Sequence, residues 1–297
     1  MLVLLAIGTV HALLIWDGDI LMLYALLGLL LPLFYKWSER HLLIAAALLI
    51  FVVPFVGIWL FERLGWAPHR YLYESADAIV WKLGIDPSPD KVLDWLLRDD
   101  LRGWVAWQGT GTIYSVATRI ETWRIAKVLG IMLIGLVVGR RLVSGQIIEN
   151  RRLLVGVLWT GLAIGVPATF AYAWNPGMGQ ASWPSLIGTV PLALAYAAAF
   201  VLVWPRARPV LRHLAPVGRM ALTNYLTHSL IGLTLFYGIG FGLAGAFKPV
   251  QFYAIAVLIF AGQMVFSRWW LDRHEQGPME ALWRRATYAG LAKPQAA

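Results

Sequence analysis

The sequence predicts an all-α, polytopic integral membrane bundle of about eight transmembrane helices, with both termini on the cytoplasmic side. Three observations predict it. Long apolar stretches recur at residues 2–16, 20–35, 42–61, 123–139, 153–173, 183–204, 217–240 and 250–269. A helix crosses the hydrocarbon core with about 20 apolar residues, roughly 17–25 being tolerated. Only 14% of the residues are charged and 59% are hydrophobic, where a soluble domain carries about 25% charged residues. The connecting loops alternate between basic and nearly cation-free, and Lys and Arg concentrate on the cytoplasmic side of a membrane. The apolar runs are continuous and not alternating, which favours helices over a lipid-facing barrel.

Taken in order, the first stretch lacks a basic lead-in and a small-residue cleavage site, so it reads as a span and not as a cleaved signal. The cation-free turn at residues 16–19 leads to the second stretch, which Lys36 and Arg40 follow. Pro54 is expected to kink the third. Residues 62–122 form the longest connection and belong outside. Within them, 90–106 place Val92, Leu93, Leu96 and Leu97 at helical spacing among Asp94, Arg98, Asp99 and Asp100, an amphipathic pattern suited to the outer leaflet or to capping a cavity. Asp86-Pro-Ser-Pro-Asp90 reads as the turn before it.

Glu121 and Arg124 read as an i,i+3 pair at the mouth of the fourth span, which Arg140, Arg141, Arg151 and Arg152 follow. Pro167 and Pro191 sit inside the fifth and sixth spans, and residues 175–182 between them carry no cation. Arg206, Arg208, Arg212 and Arg219 follow the sixth span; residues 241–249 after the seventh carry only Lys248. Arg268, Arg273, Arg284 and Arg285 follow the eighth. Residues 277–290 read as a short cytoplasmic interfacial helix, with Pro278 at its first position and Glu280 in its first turn. The whole of 1–297 reads as one transmembrane domain.

Composition excludes several chemistries. The net charge of +9 lies in alternate loops and so points to topology, not to nucleic acid. Many of the 16 tryptophans, Trp37, Trp174 and Trp204 among them, lie at span ends and serve as interfacial anchors. There is no cysteine, hence no disulfide and no thiolate metal site. No Walker loop, His-Glu-x-x-His or Gly-x-Ser-x-Gly motif occurs, and no metal or bound cofactor is expected.

Ionisable groups at membrane depth are expensive and face a cavity or a partner. One set is His11 with Trp16, Asp17 and Asp19: a carboxylate that orients an imidazole makes a base. The plainer alternative is that Asp19 caps the second helix, His11 bonds a carbonyl and Asp17 is solvated. The other set is on the seventh span. Asn224 and His228 are four residues apart and share a face, Thr223 and Thr227 form a neighbouring row, and Tyr225 and Arg219 lie close by. His228 lies about 13 Å along the helix from Arg219. Such a face lines a cavity or bonds a packed helix. Arg219 fits the positive-inside set and also an anionic ligand.

Three segments together resemble the YeiB-type bacterial inner-membrane family, named for a domain of unknown function (number 418). They are Gly8-Thr-Val-His11-Ala-Leu-Leu-Ile-Trp16-Asp-Gly-Asp19-Ile-Leu21, Val217-Gly-Arg-Met-Ala-Leu-Thr-Asn-Tyr-Leu226, and Gln276-Gly-Pro-Met-Glu280 running into Trp283-Arg284 and Thr287-Tyr288. The resemblance implies about two further spans ahead of the first stretch, opening on a Leu-Asp-x-x-Arg-Gly-like segment that has no counterpart here. That segment's Arg and its neighbours are therefore not carried over. The family is similar at a distance to membrane acyltransferases, which use acyl-CoA and acylate cell-envelope sugars. The resemblance implies a bacterial inner-membrane location and acyl transfer to an envelope glycan or small molecule. His11 or His228 would be the base with Asp17 or Asp19 beside it, Asn224 or Tyr225 the oxyanion donor, and Arg219 and Trp16 would line the binding site. A carrier for a small polar or anionic solute, and a non-catalytic membrane scaffold, are the alternatives that the same residues allow.

Overall fold

The computed structural model describes residues 1–86, 89–143 and 150–289. Pro87 and Ser88 of the expected turn, and residue 290 of the C-terminal segment, lie outside them. Every regular element among the described residues is helical. The chain forms two compact units, one of Met1–Leu26, Glu74–Ser115 and Val210–Ala297, the other of Leu27–Tyr73 and Val116–Pro209.

Among the described residues four helices are long and apolar enough to cross a membrane: Glu39–Leu64, Arg151–Trp174, Trp183–Arg219 and Pro249–Leu271. The other expected spans are helical but fall short of that standard for identifiable reasons. Leu2–Leu14 (α1) has 13 residues. Leu21–Gly28 (α2) gives way to a 3-10 turn at Leu31–Phe34. Arg124–Val143 carries Arg124, Lys127, Arg140 and Arg141. Ala221–Phe236 has 16 residues because the backbone breaks at Met220.

In the unit of residues 27–73 and 116–209, Glu39–Leu64 (α3) packs on Arg124–Val143 through Leu42, Ala46, Leu133 and Val137. Gly130 permits the approach; a Cβ there would meet Ile50 at 2.7 Å and the Ala46 carbonyl at 3.0 Å. Arg141 pairs with Glu39 at 2.7 Å, and Arg140 donates to the carbonyls of Tyr35 and Trp37. Arg151–Trp174 and Trp183–Leu211 pack through small residues. A Cβ on Gly165 would come within 2.6 Å of Leu192, and one on Gly188 within 2.7 Å of Ala168. Lipid offers helices no hydrophobic incentive to associate, so close contact of small residues is what joins them. Glu121 accepts from Tyr73 at 2.7 Å and Arg124 donates to Gln180 at 2.7 Å, so each ion takes a tertiary partner of its own.

The stretch expected as one amphipathic helix at 90–106, within the other unit, is parted between two helices, Pro89–Leu96 (α4) and Leu101–Glu121 (α5). The second starts at Asp100, whose Oδ1 accepts from the Gly103 amide at 3.0 Å. The acids counted as the polar face of one helix thus include the cap of the next. α5 packs against α1. Trp104 Nε1 donates to the Leu14 carbonyl at 3.0 Å, Thr112 Oγ1 to that of Ala12 at 3.2 Å, and Gly111 seats Asp17, whose Oδ2 would lie 2.2 Å from an added Cβ. Tyr114 donates to Asp77, and burial together with that carboxylate pushes its phenol up to about 12.

Candidate functional site

The site grows from the N-terminus of α2. Asp19 caps that helix, its Oδ1 accepting from the Met22 amide at 2.7 Å. Its Oδ2 lies 2.8 Å from Nδ1 of His11, on the last turn of α1. Both side chains are sealed from solvent, at 1% and 0% exposure. The expected cap and the expected orienting carboxylate are therefore the same residue. α1 and α2 come close enough for this because Gly8 lies on Met22, where a Cβ would be 2.5 Å from the Met22 nitrogen.

The third member comes from Ala221–Phe236 (α6). The Tyr225 hydroxyl donates to Asp19 Oδ2 at 3.3 Å and accepts from the Ile20 amide at 3.3 Å. Its ring packs on His11, with centroids 5.0 Å apart. Tyr225 stands six residues, about 9 Å, beyond Arg219 along the helical path. Asp19 is therefore shut in against α1 and α6 and is not solvated. Nδ1 of His11 is the ring nitrogen that meets this carboxylate. Nε2 is itself buried and meets no hydrogen-bonding partner among the described residues.

Sequence reasoning missed α5 as part of this site. Gln108 lies one turn from both Trp104 and Thr112, the two residues that bond α1. It is buried at 1% exposure, and its amide nitrogen has no partner among the described residues. The signal was available as Trp104, Gln108 and Thr112 at i, i+4, i+8. It was obscured because 62–122 reads as an outer connection.

Beside the triad runs a cleft of about 990 Å³, walled by Trp16, Ile20, Tyr225, His228, Phe260 and Gln263 among others. His228 is exposed on this wall, and His11 lies behind Tyr225. Asn224 is buried and committed: its amide donates to the Val217 carbonyl at 3.2 Å and to Ser267 Oγ at 3.0 Å, while Gln263 donates to its carbonyl at 2.8 Å. The bonds with Ser267 and Gln263 join α6 to Pro249–Leu271 (α7). Asp17 packs against Gly111, and the carboxylate that meets His11 Nδ1 is that of Asp19.

Arg219 donates to the Glu275 carbonyl at 2.9 Å, which fixes the approach to Pro278–Tyr288 (α8). Glu280 of α8 accepts from the Thr223 amide at 3.0 Å and from its hydroxyl at 2.6 Å. Met220 offers α6 no side-chain cap. A carboxylate from α8 fills that place, where the helix dipole favours negative charge. Among the described residues no group of three His, Asp or Glu side chains is placed to hold a metal ion.

A family model described as "Protein of unknown function (DUF418)" matches residues 138–290, which takes in α6, α7 and α8. The uncharacterised YxaH of Bacillus subtilis (strain 168) is 31% identical over 97% of this chain and 70% of its own. This chain belongs to the DUF418 family. The uncharacterised YeiB of Escherichia coli (strain K12) is 31% identical over 96% of the chain and 73% of its own length. A 39.9 kDa protein from the amylase 3' region of Bacillus acidopullulyticus is 36% identical over 116 residues, 37% of this chain and 33% of its own. No solved structure matches significantly. Within this DUF418 chain, His11 and Asp19 precede the segment that the family model covers, and Tyr225 and Glu280 fall inside it.

Proposed function

We propose that this protein is a bacterial inner-membrane acyltransferase that moves an acyl group from acyl-CoA to a hydroxyl or amine on a cell-envelope acceptor. One observation carries the reading: His11 Nδ1 is held by Asp19 at 2.8 Å while Nε2 stays buried without a hydrogen-bonding partner among the described residues, on a ring that packs against the cleft-lining Tyr225. A buried imidazole with one nitrogen fixed by a carboxylate and the other bare is a general base. The resemblance to membrane acyltransferases supports the same reaction class.

In the step proposed, Nε2 takes the proton of the acceptor O–H or N–H as that atom attacks the thioester carbonyl carbon. The C–S bond then breaks, and the leaving thiolate takes the proton from the imidazolium. Charge developing on the carbonyl oxygen falls to Tyr225 once its hydroxyl turns from Asp19 to the substrate, because the Asn224 amide is engaged within the protein. His228, on the cleft wall, positions the acceptor. Arg219 and its basic neighbours attract the phosphates of the incoming donor.

The test is acyl transfer from radiolabelled acetyl-CoA to an envelope extract by the protein in proteoliposomes. His11→Gln is expected to lower kcat by roughly 10²–10⁴-fold. Retained transfer in the His11→Ala, His228→Ala double variant overturns the mechanism. Solute uptake without thioester turnover would put a carrier in its place.

A further inference from the structure

The cleft has a pattern of its own. Ala221, Tyr225, His228, Gly232 and Phe236 lie three or four residues apart, so they form one stripe along α6, and all of them line the cleft. From Ala221 to Phe236 the stripe rises about 22 Å, most of the roughly 30 Å of a hydrocarbon core. Its residues are small, polar, polar, small and aromatic in turn. Ala221 and Gly232 hollow the helix surface on either side of the two polar groups. Opposite them stand Phe252 and Phe260 of α7. No Lys, Arg, Asp or Glu occurs among the described residues that line the cleft. A wall without formal charge, in a segment whose solvent is lipid, suits a hydrocarbon chain and an uncharged polar end. It does not suit the phosphates of CoA.

We infer that this cleft binds a neutral long-chain amphiphile, a lipid-borne alcohol, whose chain lies along Gly232 and Phe236 and whose hydroxyl reaches Tyr225 and His228. The inference rests on the proposed transfer reaction and names its acceptor. The acyl group enters beside Arg219, and the hydroxyl waits at mid-helix, where the His11–Asp19 pair lies behind Tyr225.

The glycines supply the test. A Cβ at Gly218 or Gly232 meets no atom within 4 Å, so a larger side chain at either place projects into the cleft without displacing the fold. Gly156, on Arg151–Trp174, is equally open and does not line the cleft, which makes it the control. Full-length protein in detergent would be titrated with hexadecanol, hexanol and palmitoyl-CoA and read by native mass spectrometry, with thermal unfolding checking each variant. Saturable hexadecanol binding is expected, weakened at least tenfold by Gly232→Leu and unchanged by Gly156→Leu, with hexanol binding far more weakly. Equal binding of hexadecanol to the wild type and Gly232→Leu overturns the inference. So does palmitoyl-CoA binding that Gly232→Leu abolishes while hexadecanol does not bind, because the chain would then belong to the donor. His11→Gln should bind hexadecanol normally. Binding without any transfer activity would therefore sink the proposed reaction and leave the chain site standing.

Discussion

Asp19 does two jobs with two oxygens, and the substitutions that separate them are available. Asn at 19 keeps an oxygen for the Met22 amide but presents N–H to the imidazole, or accepts from it without a charge to hold an imidazolium. Asp19→Asn should therefore lower the proposed acyl transfer by about 10²-fold or more, with its unfolding temperature close to that of the wild type. Asp19→Ala should lose the activity and also about 1 kcal/mol of stability from the missing cap. Thermal unfolding of both variants beside their turnover checks this; equal destabilisation by Asn and Ala would contradict the division of labour. Of this site, His11 and Asp19 were legible because ionisable groups are conspicuous in apolar runs. That Tyr225 completes the group was not legible, since Asp19 and Tyr225 are 206 residues apart and only the fold brings them together.

At the scale of elements, the fold turns on helices that finish one another. Glu280 reads in sequence as a first-turn acid of α8, and it does lie there. Its carboxylate is nevertheless spent on the start of α6. Glu280→Ala should cost about 1–2 kcal/mol, since it removes a charged cap from a helix that has no local one. The loss should appear as a lower unfolding temperature and faster amide exchange at Thr223. An unfolding temperature equal to the wild type's would show that water caps α6 as well as Glu280 does. Helix starts with a local signal, such as Asp100 before α5 or Pro278 in α8, can be read from the chain. A start capped from elsewhere leaves only a gap, and the Met220 break inside an expected continuous span is that gap.

At the scale of the whole molecule, the apolar runs predicted the helical membrane class, and the helices bear it out. Hydropathy alone could not fix how many cross, because length, charge and backbone breaks differ from run to run. Among the described residues four helices meet the standard unaided. The alternation of loop charge still makes a definite prediction about orientation. The chain has no cysteine, so each introduced thiol reports alone. A membrane-impermeant maleimide on intact cells should label Lys248→Cys and not Arg206→Cys, with both labelled after permeabilisation. The reverse pattern would invert the bundle and place the basic end of α6 outside.

The bond from Glu280 to Thr223 spans 57 residues, and it runs backward along the chain. A ribosome that has delivered α6 to the membrane has yet to make the carboxylate that finishes it. Until α8 emerges, the helix that carries Tyr225 and His228 has bare amides at its start, and its first turn is free to fray. The cleft thus takes its final form only once α8 has been made, and the order of translation itself keeps a chain that lacks α8 from having a finished site.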